Sequence, residues 1–76
     1  MKIKTELTFP DKLKHEPIIC ELCKKFDIIL NILEASFSTE TGWAILILEG
    51  SKEELARVFS YLKDRLVKIE EAQETL

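Results

Sequence analysis

Glycine and proline are scarce, with two of each in 76 residues. That scarcity excludes low-complexity and disordered classes, whose chains are rich in these residues. Only two cysteines occur, Cys20 and Cys23, too few for a disulfide framework and suited to a reducing compartment. No apolar run approaches the roughly 20 residues that span a bilayer. The opening "MKIKTELTF" alternates apolar and charged residues, unlike the apolar centre of a signal peptide. The expected location is cytoplasmic, with no membrane insertion. An excess of basic charge is also missing: 11 Lys and Arg stand against 14 Asp and Glu, a net −3. No basic cluster departs from that average, which excludes nucleic acid as a main partner. Nucleophile–base pairs, metal sets and paired carboxylates at a credible spacing are absent too, so neither an enzyme nor a cofactor is expected.

What is present is a patterned chain of one domain, residues 1–76, with no linker or repeat. Lys2 to Phe9 alternates, with Ile3, Leu7 and Phe9 on one face and Lys2, Lys4, Glu6 and Thr8 on the other, and reads as a strand. "PDKLKHE" is a polar loop. Pro17 suits the first turn of a helix. Ile18, Ile19, Leu22, Cys23 and Phe26 then recur at helical spacing up to about Asp27. "FDIILNILEASF" favours a strand through its β-branched and aromatic residues, yet it is apolar on both faces. "STETG" is a hairpin turn, and "WAILILE" a third strand. "SKEE" from Ser51 fits a capping box: the Ser51 hydroxyl accepts an orphan N–H and Glu54 reaches back. Leu55, Val58, Phe59 and Leu62 mark a second helix, with Glu53 one turn before Arg57. "LVKIE" reads as a short last strand, followed by a fraying tail from Glu71.

The order β-α-β-β-α-β predicts an α+β ferredoxin-like sandwich, a four-stranded antiparallel sheet of order 4-1-3-2 with two helices on one face. The second strand then lies on an edge. From Ile28 to Leu33 it carries neither charge nor proline, the devices that normally blunt edges. Ile28, Leu30 and Ile32 therefore predict an interface, and a homodimer is its simplest form.

The stretch "DIILNILEASFSTETGWAILILEG", with its literal Asn31-Ile32-Leu33, resembles the NIL domain, which is named for this tripeptide. "LTF" at Leu7, "EPII" at Glu16, the third strand ending in Gly50-Ser51, and "RVFSYL" in the second helix extend the likeness over about residues 3 to 70. NIL domains are ferredoxin-like and similar to ACT domains. They stand at the C-terminus of ATP-binding subunits of methionine importers, or are fused to iron–sulfur ferredoxin modules. The resemblance implies a small-ligand regulatory module, with methionine or a related amino acid as first candidate and a transporter or larger NIL-containing protein as partner. This chain lacks a phosphate-binding loop, so it is not itself the ATPase. Two cysteines cannot hold a four-iron cluster. A free-standing module is what remains.

On this reading Asn31, Ile32, Leu33 and Trp43 are the candidate ligand contacts. The Asn31 amide offers the donor and acceptor that an amino acid requires. The plainer alternative is that Asn31 satisfies a backbone group at a bulge or at the dimer edge, and that Trp43 simply covers a strand end. A ligand-free dimerisation or protein-interaction module is the competing function. Cys20 and Cys23 match Cys-x-x-Cys but fall inside the helix, so they read as packing residues, with Cys23 on the core stripe and Cys20 on its flank. A zinc site would need two ligands more, and His15 alone does not complete it. His15 reads as a solvated loop residue. Asp11, Lys12 and Lys14 share its loop, which by fold analogy lies near the ligand in ACT-like dimers.

Overall fold

A computed structural model describes residues 1–10, 17–38 and 42–75. The strands are β1 (Lys2–Phe9), β2 (Ile29–Phe37), β3 (Gly42–Glu49) and β4 (Lys68–Thr75), and the helices are α1 (Ile18–Lys25) and α2 (Lys52–Asp64). The sheet runs β2-β3-β1-β4 with every neighbouring pair antiparallel. This is the expected ferredoxin-like α+β architecture in the expected order. The loop carrying Asp11, Lys12, Lys14 and His15 lies outside the described residues, as does most of the "STETG" turn.

The core follows from the two periodicities. On β3 the period of two buries Ala44, Leu46 and Leu48, and on β1 it buries Thr5, Leu7 and Phe9. On the helices the period of 3.6 aims Ile18 and Leu22 of α1, and Leu55, Val58 and Leu62 of α2, onto that face. Val67 closes the cluster, and Ile28 and Leu30 pack half-buried against it. Thr5 is the buried polar member. Its hydroxyl donates to the Glu71 carbonyl at 2.8 Å, where the β1–β4 register shifts at a bulge. The bulge leaves Glu70 as the extra residue, and the Thr5 hydroxyl ties β1 to the strand backbone beside it.

Four details depart from the sequence reading. First, β4 runs to Thr75 instead of fraying at Glu71, and pairs with β1 down to Lys2↔Thr75. Its residues are polar, so periodicity gives no signal; the outer hydrogen-bonding edge of β1 decides its length. Second, the capping box is half made. The Ser51 hydroxyl accepts from Glu54 N at 3.0 Å. The Glu54 carboxylate instead takes the Asp27 N–H at 2.8 Å, which pins the start of β2 to the first turn of α2. Third, Arg57 pairs with Glu54 at 2.7 Å, not with Glu53. Fourth, Cys20 and Cys23 are both exposed. The buried face of α1 is centred between Ile18 and Phe26. At 3.6 residues per turn, Cys23 lies about 100° from that centre and Cys20 about 160°.

The far end of α2 closes with a Schellman motif. Val67 N donates to Leu62 O at 2.9 Å and Leu66 N to Lys63 O at 3.0 Å. The turn needs a left-handed residue, and Leu66 fills it at φ 64° where glycine is usual. Between the helices, Tyr61 Oη donates to Glu21 Oε2 at 2.7 Å, and its ring meets Phe26 edge-on at 5.6 Å.

Candidate functional site

The helices cover one face of the sheet; the other is open. Strand pairing fixes which residues share it. Ile47 sits between Lys4 and Asn31, Ile45 between Glu6 and Glu34, and Trp43 between Thr8 and Ser36. The open face is thus divided. Its β1 and β4 half carries Lys2, Lys4, Glu6, Glu71 and Gln73, and its β2 and β3 half carries Ile29, Ile45, Ile47 and Trp43 interspersed with Asn31, Glu34, Ser36 and Glu49. The alternation of Ile45 and Ile47 with Leu46 and Leu48 was the sequence signal for this apolar half.

The two sheet edges differ in the same sense. The β4 edge bears Lys68, Glu70, Glu71, Gln73 and Glu74 and contains a bulge, so it is blunted in the usual ways. The β2 edge bears Ile29, Leu30, Asn31 and Ile32 in regular register before its own bulge at Leu33. Ile29, Ile32, Leu33 and Phe37 all lie at least 47% exposed. An edge with free N–H and C=O groups and that much bare apolar surface is a template for another strand.

The structure separates the residues picked out in the sequence. Of the three interface candidates, Ile32 stands 50% exposed, whereas Ile28 and Leu30 lean onto the core. Ile29, at 68% exposure, is the residue the sequence reading left out of this surface. Of the four ligand candidates, Asn31 is exposed on the open face, Ile32 projects to the helix side, and Leu33 is the extra residue of the bulge. Trp43 is four rungs from Asn31 along β3, roughly 13 Å at the rise of a strand. Trp43 lines a wide depression with Glu6, Thr8, Gly42 and Glu70 that does not reach Asn31. A smaller concavity of about 130 Å³ lies over Lys4, Thr5, Glu6, Ile45, Glu71 and Gln73, on the polar half. Neither concavity gathers the four within one chain.

Gly42 has a local reason. It faces Phe9 on one side and Phe37 on the other, and those rings lie 5.5 Å apart. A Cβ on Gly42 would meet Phe37 Cδ1 at 2.9 Å. The glycine lets the two rings meet, which anchors the far end of the β2 edge.

Four antiparallel strands in this order, backed by two helices, define the chain as a ferredoxin-like α+β domain whose exposed features are an apolar edge and a half-apolar sheet face. The crystal structure of the C-terminal domain of an ABC transporter/ATP-binding protein from Enterococcus faecalis shares this fold. Its TM-score is 0.71 at 17% identity, over 91% of this chain and 82% of that one. The chain belongs to the NIL domain family, whose model matches residues 5–71. It is also 29% identical over 69 residues to the methionine import ATP-binding protein MetN of Bacillus subtilis (strain 168). That alignment covers 86% of this chain and 20% of the relative, so the chain spans about a fifth of MetN's length. Among the described residues, no helix is long and apolar enough to cross a membrane.

Proposed function

We propose that this chain is a regulatory NIL module that senses methionine or a related amino acid at an interface between two copies. The observation that carries the reading is the β2 edge. Asn31 lies midway along its regular stretch, on the open face with exposed Ile29 two residues before it and Ile47 opposite it on β3. Two such edges, paired about a two-fold axis, bring two Asn31 amides and their apolar neighbours together. An amide beside aliphatic side chains suits an amino acid with an unbranched thioether chain. The scattered positions of Asn31 and Trp43 within one chain accord with a site completed by a second copy.

The module performs no chemistry of its own on this reading. It works in the cytoplasm and acts through a transporter ATP-binding subunit or a larger NIL-containing protein. Titration calorimetry of the purified chain with methionine tests it. Saturable heat at one site per interface, lost in Asn31→Ala, is expected. Absence of heat at millimolar methionine from an intact dimer would overturn the ligand half. The second reading, a ligand-free assembly module, then takes its place. It is favoured by the two concavities over the open face, neither of which gathers Asn31, Ile32, Leu33 and Trp43.

A further inference from the structure

The regulatory reading leaves the outer face of α1 unused. We propose that Cys20 and Cys23 form a two-sulfur site on that face for a soft monovalent metal ion of the copper(I) class.

Exposure is the first reason. A free cysteine is among the most often buried residue types, yet both cysteines of this chain are exposed, one helical turn apart on one eight-residue helix. The face they occupy is turned away from the core, so packing does not account for them.

Geometry is the second. Side chains three residues apart on a helix are neighbours, with Cβ atoms about 5–6 Å apart. A disulfide needs its Cβ atoms at about 3.5–4.5 Å, which an intact helix does not provide at this spacing. A linear sulfur–metal–sulfur bridge is wider. Two bonds of about 2.3 Å, the zinc–sulfur length, set its sulfurs about 4.6 Å apart. Leaning slightly inward, two cysteines on adjacent turns meet that span without unwinding α1.

Ligand number is the third. Zinc in a structural site takes four ligands. Among the described residues, no group of three or more His, Cys, Asp or Glu side chains comes together. A pair of thiolates selects soft ions, and closed-shell copper(I) is satisfied by two of them. Binding releases both thiol protons, so affinity falls as pH falls. The resulting bis-thiolate complex carries one negative charge, which the solvent at this exposed face accommodates.

The test is an anaerobic titration of the reduced 76-residue chain with copper(I), in competition with bicinchoninate, together with X-ray absorption at the copper edge. One ion per chain with two sulfur scatterers is expected. C20S and C23S should each weaken binding by about 100-fold or more, at least the cost of losing an outer-shell partner. Placing the second thiol at the next facing position, C23S with K24C, should restore binding. C23S with K25C, which turns it away, should not. Unchanged circular dichroism confirms that each variant is folded, since neither sulfur lies in the core. Undiminished binding in the C20S/C23S double variant overturns the proposal. So does a K25C variant that binds as tightly as the native pair, one ion shared between two chains, or a Cys20–Cys23 disulfide that forms under mild oxidation with α1 intact.

Discussion

Replacing Ile32 with lysine puts a charge in the middle of the β2 edge. If two edges pair, the half of Ile32 that is exposed in one chain becomes buried. Complete burial of an isoleucine contributes about 1.5–3 kcal/mol, so the newly covered half contributes about 1 kcal/mol. A two-fold interface contains the residue twice, which makes about 2 kcal/mol. At 1.4 kcal/mol per tenfold, Ile32→Ala therefore weakens dimerisation by roughly 30-fold. Ile32→Lys goes further, because two ammonium groups must also leave water beside each other. The monomer tolerates the change, since the lysine head reaches solvent from a half-exposed position. Sedimentation velocity over a concentration series reads the result. The native chain should run as a dimer, Ile32→Ala should shift its midpoint upward, and Ile32→Lys should run as a monomer with an unchanged circular dichroism spectrum. Glu74→Lys, on the opposite edge, should keep the native mass. A native chain that stays monomeric at millimolar concentration would refute the reasoning, as would an Ile32→Lys chain of dimer mass.

Three further predictions concern the scaffold. Thr5→Val keeps the side-chain shape but leaves the Glu71 carbonyl without its hydroxyl partner. The bond is part-buried and Glu71 is exposed, so the loss is that of an ordinary hydrogen bond, about 0.5–1.5 kcal/mol, partly offset by the added methyl, and urea denaturation should show a loss of no more than about 1 kcal/mol. Leu66→Gly removes a left-handed strain of about 1–2 kcal/mol against a smaller entropic loss, and should melt higher than the native chain. Leu66→Val should melt lower, because a β-branched residue tolerates positive φ worst; the reverse order would count against the Schellman assignment. The Tyr61 hydroxyl is pushed up to about 12, first by its hydrogen bond to Glu21, then by burial and the Glu21 charge. A folded value above the unfolded 10 means the contribution is complete below pH 10 and is lost as pH rises towards 12. The stability gap between the native chain and Tyr61→Phe should close between pH 10 and about 12, and a gap that stays constant over that range would speak against the Tyr61–Glu21 bond.

The candidate surface was legible where it rested on pattern. An uncharged, proline-free run from Ile28 to Leu33 marks an unprotected edge whatever it packs on. Which side chains of that run stay bare was not legible. The bulge at Leu33 resets the alternation, and the core draws in Ile28 and Leu30 but leaves Ile29 and Ile32 out. Glu54 shows the same division. Its place three residues after Ser51 forecasts a cap, but its carboxylate answers Asp27, 27 residues away in sequence, because the fold brings that N–H closer.

Sequence alone determined the element order, the apolar stripes of both helices, the position of β2 at an edge and membership of the NIL family. All are encoded in local periodicity or in a contiguous motif. Tertiary structure alone decided the length of β4 and the exposure of Cys20 and Cys23. A polar strand becomes a strand only when a neighbour offers hydrogen bonds. A residue at the margin of a helical stripe is buried or bare according to where the partner surface stops. Composition along the chain carries neither quantity, so the bare cysteines of α1 and the reach of the β2 edge became visible only once the chain was folded.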